Sequence, residues 1–287
     1  MSDSGSGGVG EWAPDRVEAG PVGSRFGEVR WFAEIDSTNR YLLDVARRAP
    51  VAGLVAVADH QRAGKGRLGR QWEAPAGTGL LVSVLLLPAL PVELLHLCSI
   101  SVALAAADAC RRVGGVTPSL KWPNDLVVGN RKLGGILAES VPSTAGSGRA
   151  VVVGVGLNVS WPPGETGAGD AAAAVPEDLR RHATSILRET GAGIDRHVLL
   201  SELLEGLDRL LDAVEGEEGR RKIVEDYRRR CATIGRRVRV ELADGAIGGT
   251  ATEVDAAGRL VVVDGATIHV VDAGDVIHLH GGPERGS

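Results

Sequence analysis

Hydrophobic and polar positions follow two rhythms along the chain. Short apolar runs at 28–33, 54–58, 80–87, 119–122, 126–128, 132–140 and 150–159 read as strands. Segments with helical spacing lie between them. Asp36-Ser37-Thr38 supplies capping groups ahead of an amphipathic helix at 39–48. Pro91 opens a long apolar helix that stops at Gly114-Gly115. Residues 59–79 interrupt the pattern as a Gly-rich basic loop, and 160–183 as a Pro, Gly and Ala-rich surface excursion. Helices at 195–214, capped by Asp195, and at 217–229 follow. Beyond about residue 231 the period changes to two. Val and Ile alternate over 233–280, punctuated by Asp244-Gly245, Gly258 and Asp264-Gly265, which is the pattern of a small β-barrel.

That layout predicts a disordered tail at 1–27, an α+β domain at 28–230 and a C-terminal β module with its tail at 231–287. Hydrophobic residues make up 44% of the chain and charged ones 24%, enough for a globular core without disulfide staples. Lys plus Arg is 32 against 37 for Asp plus Glu, a net charge of -5 that advertises no general nucleic-acid surface. The three cysteines, Cys98, Cys110 and Cys231, are an odd set. The first two fall about 18 Å apart along one helix, at about 1.5 Å per residue, too far to bond. The N-terminus shows no basic-then-apolar signal. The strongest apolar helix is interrupted by Glu93, His96 and Asp108, so no run is read as membrane-spanning. A reducing, cytoplasmic setting without a membrane is expected.

Four clusters carry chemistry. In Gln61-Arg62-Ala63-Gly64-Lys65-Gly66-Arg67-Leu68-Gly69-Arg70-Gln71-Trp72, four cations sit among three glycines. Glycines let a backbone approach an anion and the cations neutralise it, so the loop reads as a lid over a phosphate or adenylate. A solvated basic loop is the alternative. A dinucleotide fingerprint, Gly64-x-Gly66-x-x-Gly69, fails because no helix starts at Trp72-Glu73-Ala74-Pro75. Lys121-Trp122-Pro123-Asn124-Asp125 turns sharply at a strand end and offers an amide and a carboxylate there, or is an ordinary turn. In Arg131-Lys132-Leu133-Gly134-Gly135-Ile136-Leu137-Ala138-Glu139, alternation puts Lys132 beside Gly134 and Ile136. An enclosed lysine can hold a carboxylate and a phosphate together, whereas an edge-strand lysine only deters aggregation. Gly154 and Gly156 leave one strand face bare for a ligand or for close packing, and Asn158 has a donor and an acceptor suited to an adenine edge.

In this order, with Asp36-Ser37-Thr38-Asn39 ahead of them, these motifs resemble the biotin–protein ligase family over about residues 28–280. The C-terminal segments Cys231-Ala232-Thr233-Ile234-Gly235 and Ala273-Gly274-Asp275-Val276 fit as well. The resemblance implies a mixed β-sheet catalytic domain with flanking helices, akin to class II aminoacyl-tRNA synthetases, and an SH3-like barrel after it. It implies activation of biotin by ATP to biotinyl-5′-AMP, then transfer to a lysine of a biotin carboxyl carrier domain of an acyl-CoA carboxylase, with Mg2+ as cofactor.

Residue by residue, Ser37, Thr38, Asn39 and Gln61 would meet the ureido ring. Gly64, Lys65, Gly66 and Arg67 would also line the biotin side, Lys65 and Arg67 would in addition hold the phosphates and the adenylate, and Gly135, Gly154 and Gly156 would leave room for the thiophane and valeryl chain. Lys132 would bridge biotin's carboxylate and the α-phosphate. Arg70, Trp72, Asn124, Asp125 and Asn158 fall on the nucleotide side, with Trp72 stacking on adenine and Asp125 either aiding a magnesium ion or accepting a proton from the incoming lysine. Two departures stand out. Lys65 replaces the arginine of many relatives, which keeps charge and loses a bidentate fork. Only residues 1–27 precede the first expected strand, too few for the helix-turn-helix of bifunctional members, so no operator binding is expected. A lipoate–protein ligase fits residues 64–70 and Lys121–Asp125 less well, a DNA-binding biotin sensor lacks its expected domain, and a nicotinamide enzyme lacks a helix after Gly69.

Overall fold

The computed structural model describes residues 13–144, 148–163, 177–242 and 244–279. Eight strands form one mixed sheet in the order β1-β2-β3-β4-β8-β7-β6-β5. These are β1 (Arg16–Ala19), β2 (Glu28–Ile35), β3 (Leu54–Gln61), β4 (Gly79–Leu86), β5 (Ser119–Lys121), β6 (Asp125–Val128), β7 (Arg131–Pro142) and β8 (Arg149–Asn158). β2 and β3 run parallel, joined by α1 (Thr38–Arg48); the other neighbours are antiparallel.

Both faces of the sheet are covered, which explains why β4 is buried along its whole length. α1 packs Leu42 and Ala46 on one face, against Leu81, Leu85 and Val152. The other face carries α2 (His96–Gly114), after a 3-10 turn at Val92–Leu94. Two short helices, α3 (Glu177–His182) and α4 (Ile186–Thr190), precede α5 (Arg196–Val214) and α6 (Glu217–Arg230). α5 and α6 pack on α2.

The C-terminal module comprises β9 (Arg237–Leu242), β10 (Gly245–Val254), β11 (Leu260–Asp264), β12 (Thr267–Val271) and β13 (Asp275–His278), ordered β12-β11-β10-β9-β13 and antiparallel. Among the described residues its edge strands β12 and β13 do not pair to close a barrel. It is docked, not tethered. Trp122 donates its backbone N–H to Thr233 Oγ1 (3.1 Å) and its indole Nε1–H to the Gly258 carbonyl (2.9 Å). Val240, Val254 and Leu260 share one buried cluster with α2.

Three expectations change. The segment read as a tail, 1–27, contains β1, which pairs with β2 and lays Arg16 over the Trp31 ring at 4.9 Å. Four residues are too few to show a strand period, so the sequence hid it. Residues 1–12 of that tail lie outside the described residues, as do 164–176 of the surface excursion. The rest of the excursion is residues 160–163, α3 and the buried Ala183, after which the buried Thr184 and Ser185 lead into α4. Finally, Val92–Gly114 is long and apolar enough to cross a bilayer on length and composition alone. Glu93 and His96 sit at its entrance, and the helix is the core element on which α5 and α6 pack.

The three cysteines are unpaired and buried. Burial pushes the Cys98 and Cys110 thiols up to about 12, so neither forms the reactive thiolate near pH 8. A thiol reagent at pH 8 is expected to leave both unmodified until denaturant unfolds the chain. Labelling of either in the native protein, read by mass, would contradict that burial.

Candidate functional site

The parallel pair β2 and β3 ends at one edge, where Ile35 pairs with Gln61. The N-terminus of α1 therefore meets the last residue of β3. Thr38 donates its backbone N–H to Gln61 Oε1 at 2.8 Å. Ser37 is the cap of α1, and its hydroxyl oxygen accepts the Arg40 N–H. Thr38 and Asn39 are 3% and 4% exposed, which is low for polar residues on a first helical turn and marks an enclosed site.

The basic segment leaves β3 as a narrow hairpin. Trp72 N–H bonds the Gly64 carbonyl at 3.0 Å, and Gly66 N–H bonds the Arg70 carbonyl at 2.7 Å. A Cβ on Gly64 would stand 2.4 Å from the Trp72 carbonyl, so only glycine permits this closure. Leu68, at the tip, has φ 55 and ψ 35, a left-handed conformation that costs a non-glycine residue about 1 kcal/mol. The hairpin folds down over the sheet. There Trp72 lies across the glycines of β7 and β8: a Cβ on Gly156 would be 2.6 Å from its ring, and one on Gly135 3.3 Å.

β5 and β6 form the second wall. Lys121 pairs with Asp125 across the Trp122-Pro123-Asn124 turn. Asn124 is locked to β7, donating from Nδ2 to the Ile136 carbonyl at 2.9 Å, which turns Oδ1 toward Arg67 Nη1 at 3.4 Å. Lys132 reaches the same space by a device that alternation does not predict. Leu126 pairs with Gly134 but Val127 with Lys132, so β7 bulges at Leu133. The bulge moves Lys132 from the face of Gly134 to that of Gly135, whose Cβ would lie 3.2 Å from Lys132 Nζ. Lys132 Nζ pairs with Asp125 Oδ1 at 2.6 Å and lies 5.4 Å from the centroid of the Trp72 ring.

The C-terminal module completes the rim. Arg70 pairs with Asp275, and Arg67 Nη1 lies 3.4 Å from the Gly274 carbonyl. Burial pushes the Arg67 guanidinium below its ordinary value, against the attraction of Asp275 and Asp125. It stays cationic, and its partial desolvation strengthens its pull on an anion.

One cavity thus gathers most of the sequence-derived candidates. Ser37, Thr38, Asn39 and Gln61 line one end. Lys65, Gly66, Arg67, Arg70 and Trp72 form the roof, and Asn124, Asp125, Lys132, Gly135, Gly154 and Gly156 the far wall and floor. Two candidates lie elsewhere. Gly64 is buried beside Gln61 and lines a neighbouring pocket with Leu137 and Glu139. Asn158 is turned away: its Nδ2 donates to the Thr184 carbonyl at 2.9 Å, because the 183–185 stretch covers the end of β8. The glycine faces are also not bare. Asn39 Oδ1 fills the space above Gly154, 2.2 Å from where a Cβ would stand, and Trp72 fills the rest.

Two site residues escaped the sequence reading. Ser83 is fully buried on β4 at the cavity floor, and its signal was a lone hydroxyl inside the apolar run 80–87. Asp275 lines the cavity from β13; its motif was noticed, but the distance along the chain hid its role.

Residues 31–158 match the profile of the Biotin/lipoate A/B protein ligase family, and 233–279 that of the Biotin protein ligase C terminal domain. The chain is 37% identical over 264 residues to a biotin–[acetyl-CoA-carboxylase] ligase of Mycobacterium tuberculosis, covering 90% of this chain and 91% of the relative. It is 32% identical to the bifunctional ligase/repressor BirA of Escherichia coli, over 82% of this chain and 69% of that one. Among solved structures, the biotin protein ligase of Aquifex aeolicus in complex with biotin and ATP superposes with a TM-score of 0.72, at 25% identity, over 88% of this chain and 99% of the other.

Proposed function

The chain belongs to the biotin/lipoate A/B protein ligase family and is an ATP-dependent biotin ligase, and from that premise we propose how its residues divide the work. The observation that carries the division is the pairing of Lys132 with Asp125 beneath a roof of Lys65, Arg67 and Arg70. A cation held by one carboxylate, under three more cations, is arranged to receive two anions at once. Biotin's carboxylate displaces Asp125 from Lys132, and the α-phosphate of ATP enters beside it. Lys132 then bridges the two, which lowers their repulsion and aligns the carboxylate oxygen behind the α-phosphorus. A carboxylate oxygen–phosphorus bond forms and pyrophosphate leaves. Arg67, Lys65 and Arg70 neutralise the departing and remaining phosphates.

In the second step a carrier lysine attacks the acyl carbon of biotinyl-5′-AMP. The amide forms and AMP leaves, with its phosphate still facing Lys132 and Arg67. Asp125, freed from Lys132, would then take the amine's proton. The acceptor is a biotin carboxyl carrier domain of an acyl-CoA carboxylase. Among the described residues no three His, Cys, Asp or Glu side chains cluster to hold a metal. Magnesium would enter with the triphosphate as part of the substrate, and Asp125 and Asp275 are the carboxylates among the cavity's lining residues. Unpaired buried thiols fit a reducing, cytoplasmic setting.

Trp72 is the moving part. It fills the slot over Gly135 and Gly156, and its buried indole Nε1–H has no hydrogen-bond partner. Biotin's ring and chain need that slot, so binding lifts Trp72 out and leaves it free to stack on adenine. The reading is tested by biotin-dependent exchange of pyrophosphate into ATP. Exchange with biotin and none without it is expected; exchange stimulated equally by lipoate would favour the rival acyl substrate. In parallel, biotin plus ATP is expected to change Trp72 fluorescence and slow proteolysis after Arg67 and Arg70. Unchanged cleavage would leave the roof rigid and the Trp72 movement wrong.

A further inference from the structure

Behind the residues that face the ligand runs a chain of buried hydrogen bonds with a fixed direction. Asn39 Nδ2 contacts the Leu137 carbonyl at 3.1 Å and Glu139 Oε2 at 2.9 Å. Both are acceptors, so the amide nitrogen must point there and Oδ1 must point back toward Ser83. Gly154 makes this possible, because any side chain on it would meet Oδ1. Ser83 Oγ is 2.7 Å from Asn39 Oδ1 and 2.7 Å from Thr38 Oγ1. Asn39 Oδ1 can only accept, so the single Ser83 hydrogen goes to it. The Thr38–Ser83 contact must then be filled by the hydrogen of Thr38. Thr38 Oγ1 also lies 3.1 Å from Gln61 Oε1, whose second lone pair can accept its hydrogen, but the 2.7 Å contact with Ser83 is shorter and has no other hydrogen to fill it. The relay therefore leaves Thr38 Oγ1 with lone pairs only. Its neighbours have the opposite sense. Ser37's oxygen is used by the helix cap and keeps its hydrogen, and Gln61 Oε1 is pinned so that its NH2 group is the free end.

We propose that Ser83, Asn39 and Glu139 are positioning residues that set Thr38 as an obligate acceptor, so that the site selects a ring bearing an N–H donor beside a carbonyl and rejects acyl groups without one. This rests on the reading of the cavity as a biotin site and deepens it. A ureido ring offers N–H to Thr38 and C=O to Ser37. A dithiolane ring has neither and would leave the buried Thr38 oxygen unpaired, which is where a site built for hydrogen bonds gains its largest discrimination.

The test compares binding of biotin, desthiobiotin and the two isomers of biotin methylated on one ureido nitrogen, by calorimetry. The proteins are wild type, Ser83→Ala, the shape-preserving Ser83→Cys, and Ser101→Ala. Ser101 is a fully buried hydroxyl without a partner, so it controls for loss of a buried serine. Wild type is expected to prefer biotin over one methylated isomer by about 100-fold. In Ser83→Ala the Thr38 hydrogen loses its shorter acceptor and keeps only the longer contact with Gln61 Oε1, so it can turn into the cavity, and the preference should fall below about 10-fold. Ser83→Cys, a weak donor, should lie between, and Ser101→Ala should match wild type. Mere loosening of the site would weaken every ligand alike and keep the ratio. A folded Ser83→Ala or Ser83→Cys that keeps the full preference overturns the relay while leaving the biotin reading intact. Wild type that fails to bind biotin overturns the reading itself, and the relay with it.

Discussion

Lys132→Ala is expected to abolish biotinyl-adenylate formation while leaving the fold intact. Lys132 Nζ is the one ammonium held at the cavity wall by a carboxylate, Asp125 at 2.6 Å, and its side chain is 38% exposed. It supports no core packing, so its loss costs little stability; an exposed pair of this kind contributes about 0–1 kcal/mol. Its loss from the reacting centre is different in kind. Two anions then meet without a shared cation, and one charge-assisted contact at the transition state is worth about 3 kcal/mol or more, on the order of 100-fold in rate. Single-turnover formation of biotinyl-AMP measures it. A near wild-type rate in a variant with an unchanged melting temperature would remove Lys132 from the role assigned to it.

The second large effect is expected at a residue far from the chemistry. Gly258 has φ +72, and a Cβ there would stand 2.5 Å from the His96 ring. Its carbonyl takes the Trp122 indole N–H at 2.9 Å. Gly258→Val would impose left-handed strain on a β-branched residue, drive the turn off α2 and leave the buried Trp122 donor unpaired. Together these should destabilise the protein by about 3 kcal/mol or more. The functional consequence follows from what the module carries. Gly274 and Asp275 contact Arg67 and Arg70, whereas Ser37, Thr38 and Gln61 are held by the catalytic sheet and α1. ATP binding should therefore weaken more than biotin binding. Melting curves and paired titrations of the two ligands decide it. Equal loss of both would mean that the module braces the whole cavity and not its nucleotide side.

Much of this site was legible in the sequence because its parts are local. A cap after one strand, a glycine-rich cationic hairpin and a Pro-Asn-Asp turn each announce their geometry within a few residues. Four features were not legible, for physical reasons. The bulge at Leu133 shifts Lys132 onto the Gly135 face, and a one-residue slip in pairing has no signature in hydrophobic alternation. The contact of Asn158 with Thr184 was not foreseen, because it comes from a stretch with no period of its own. The bare glycine faces proved occupied, by Asn39 over Gly154 and Trp72 over Gly156, since a missing side chain shows only that something approaches, not what. Asp275 enters from a separate module, and nothing local to its turn points to Arg70. In the fold, the long strands and helices were placed by their periods. β1, α3 and α4 are shorter than a reliable period and were missed.

The account's central claim is that this cavity joins biotin to a carrier lysine through an adenylate. The most direct measurement is the intact mass of a purified biotin carboxyl carrier domain after incubation with the protein, biotin, ATP and magnesium. One biotinyl group is expected to be added to a single lysine, with none when ATP is omitted and none from Lys132→Ala. A carrier domain left unmodified by active, folded protein, or modified equally well when lipoate replaces biotin, would contradict the claim.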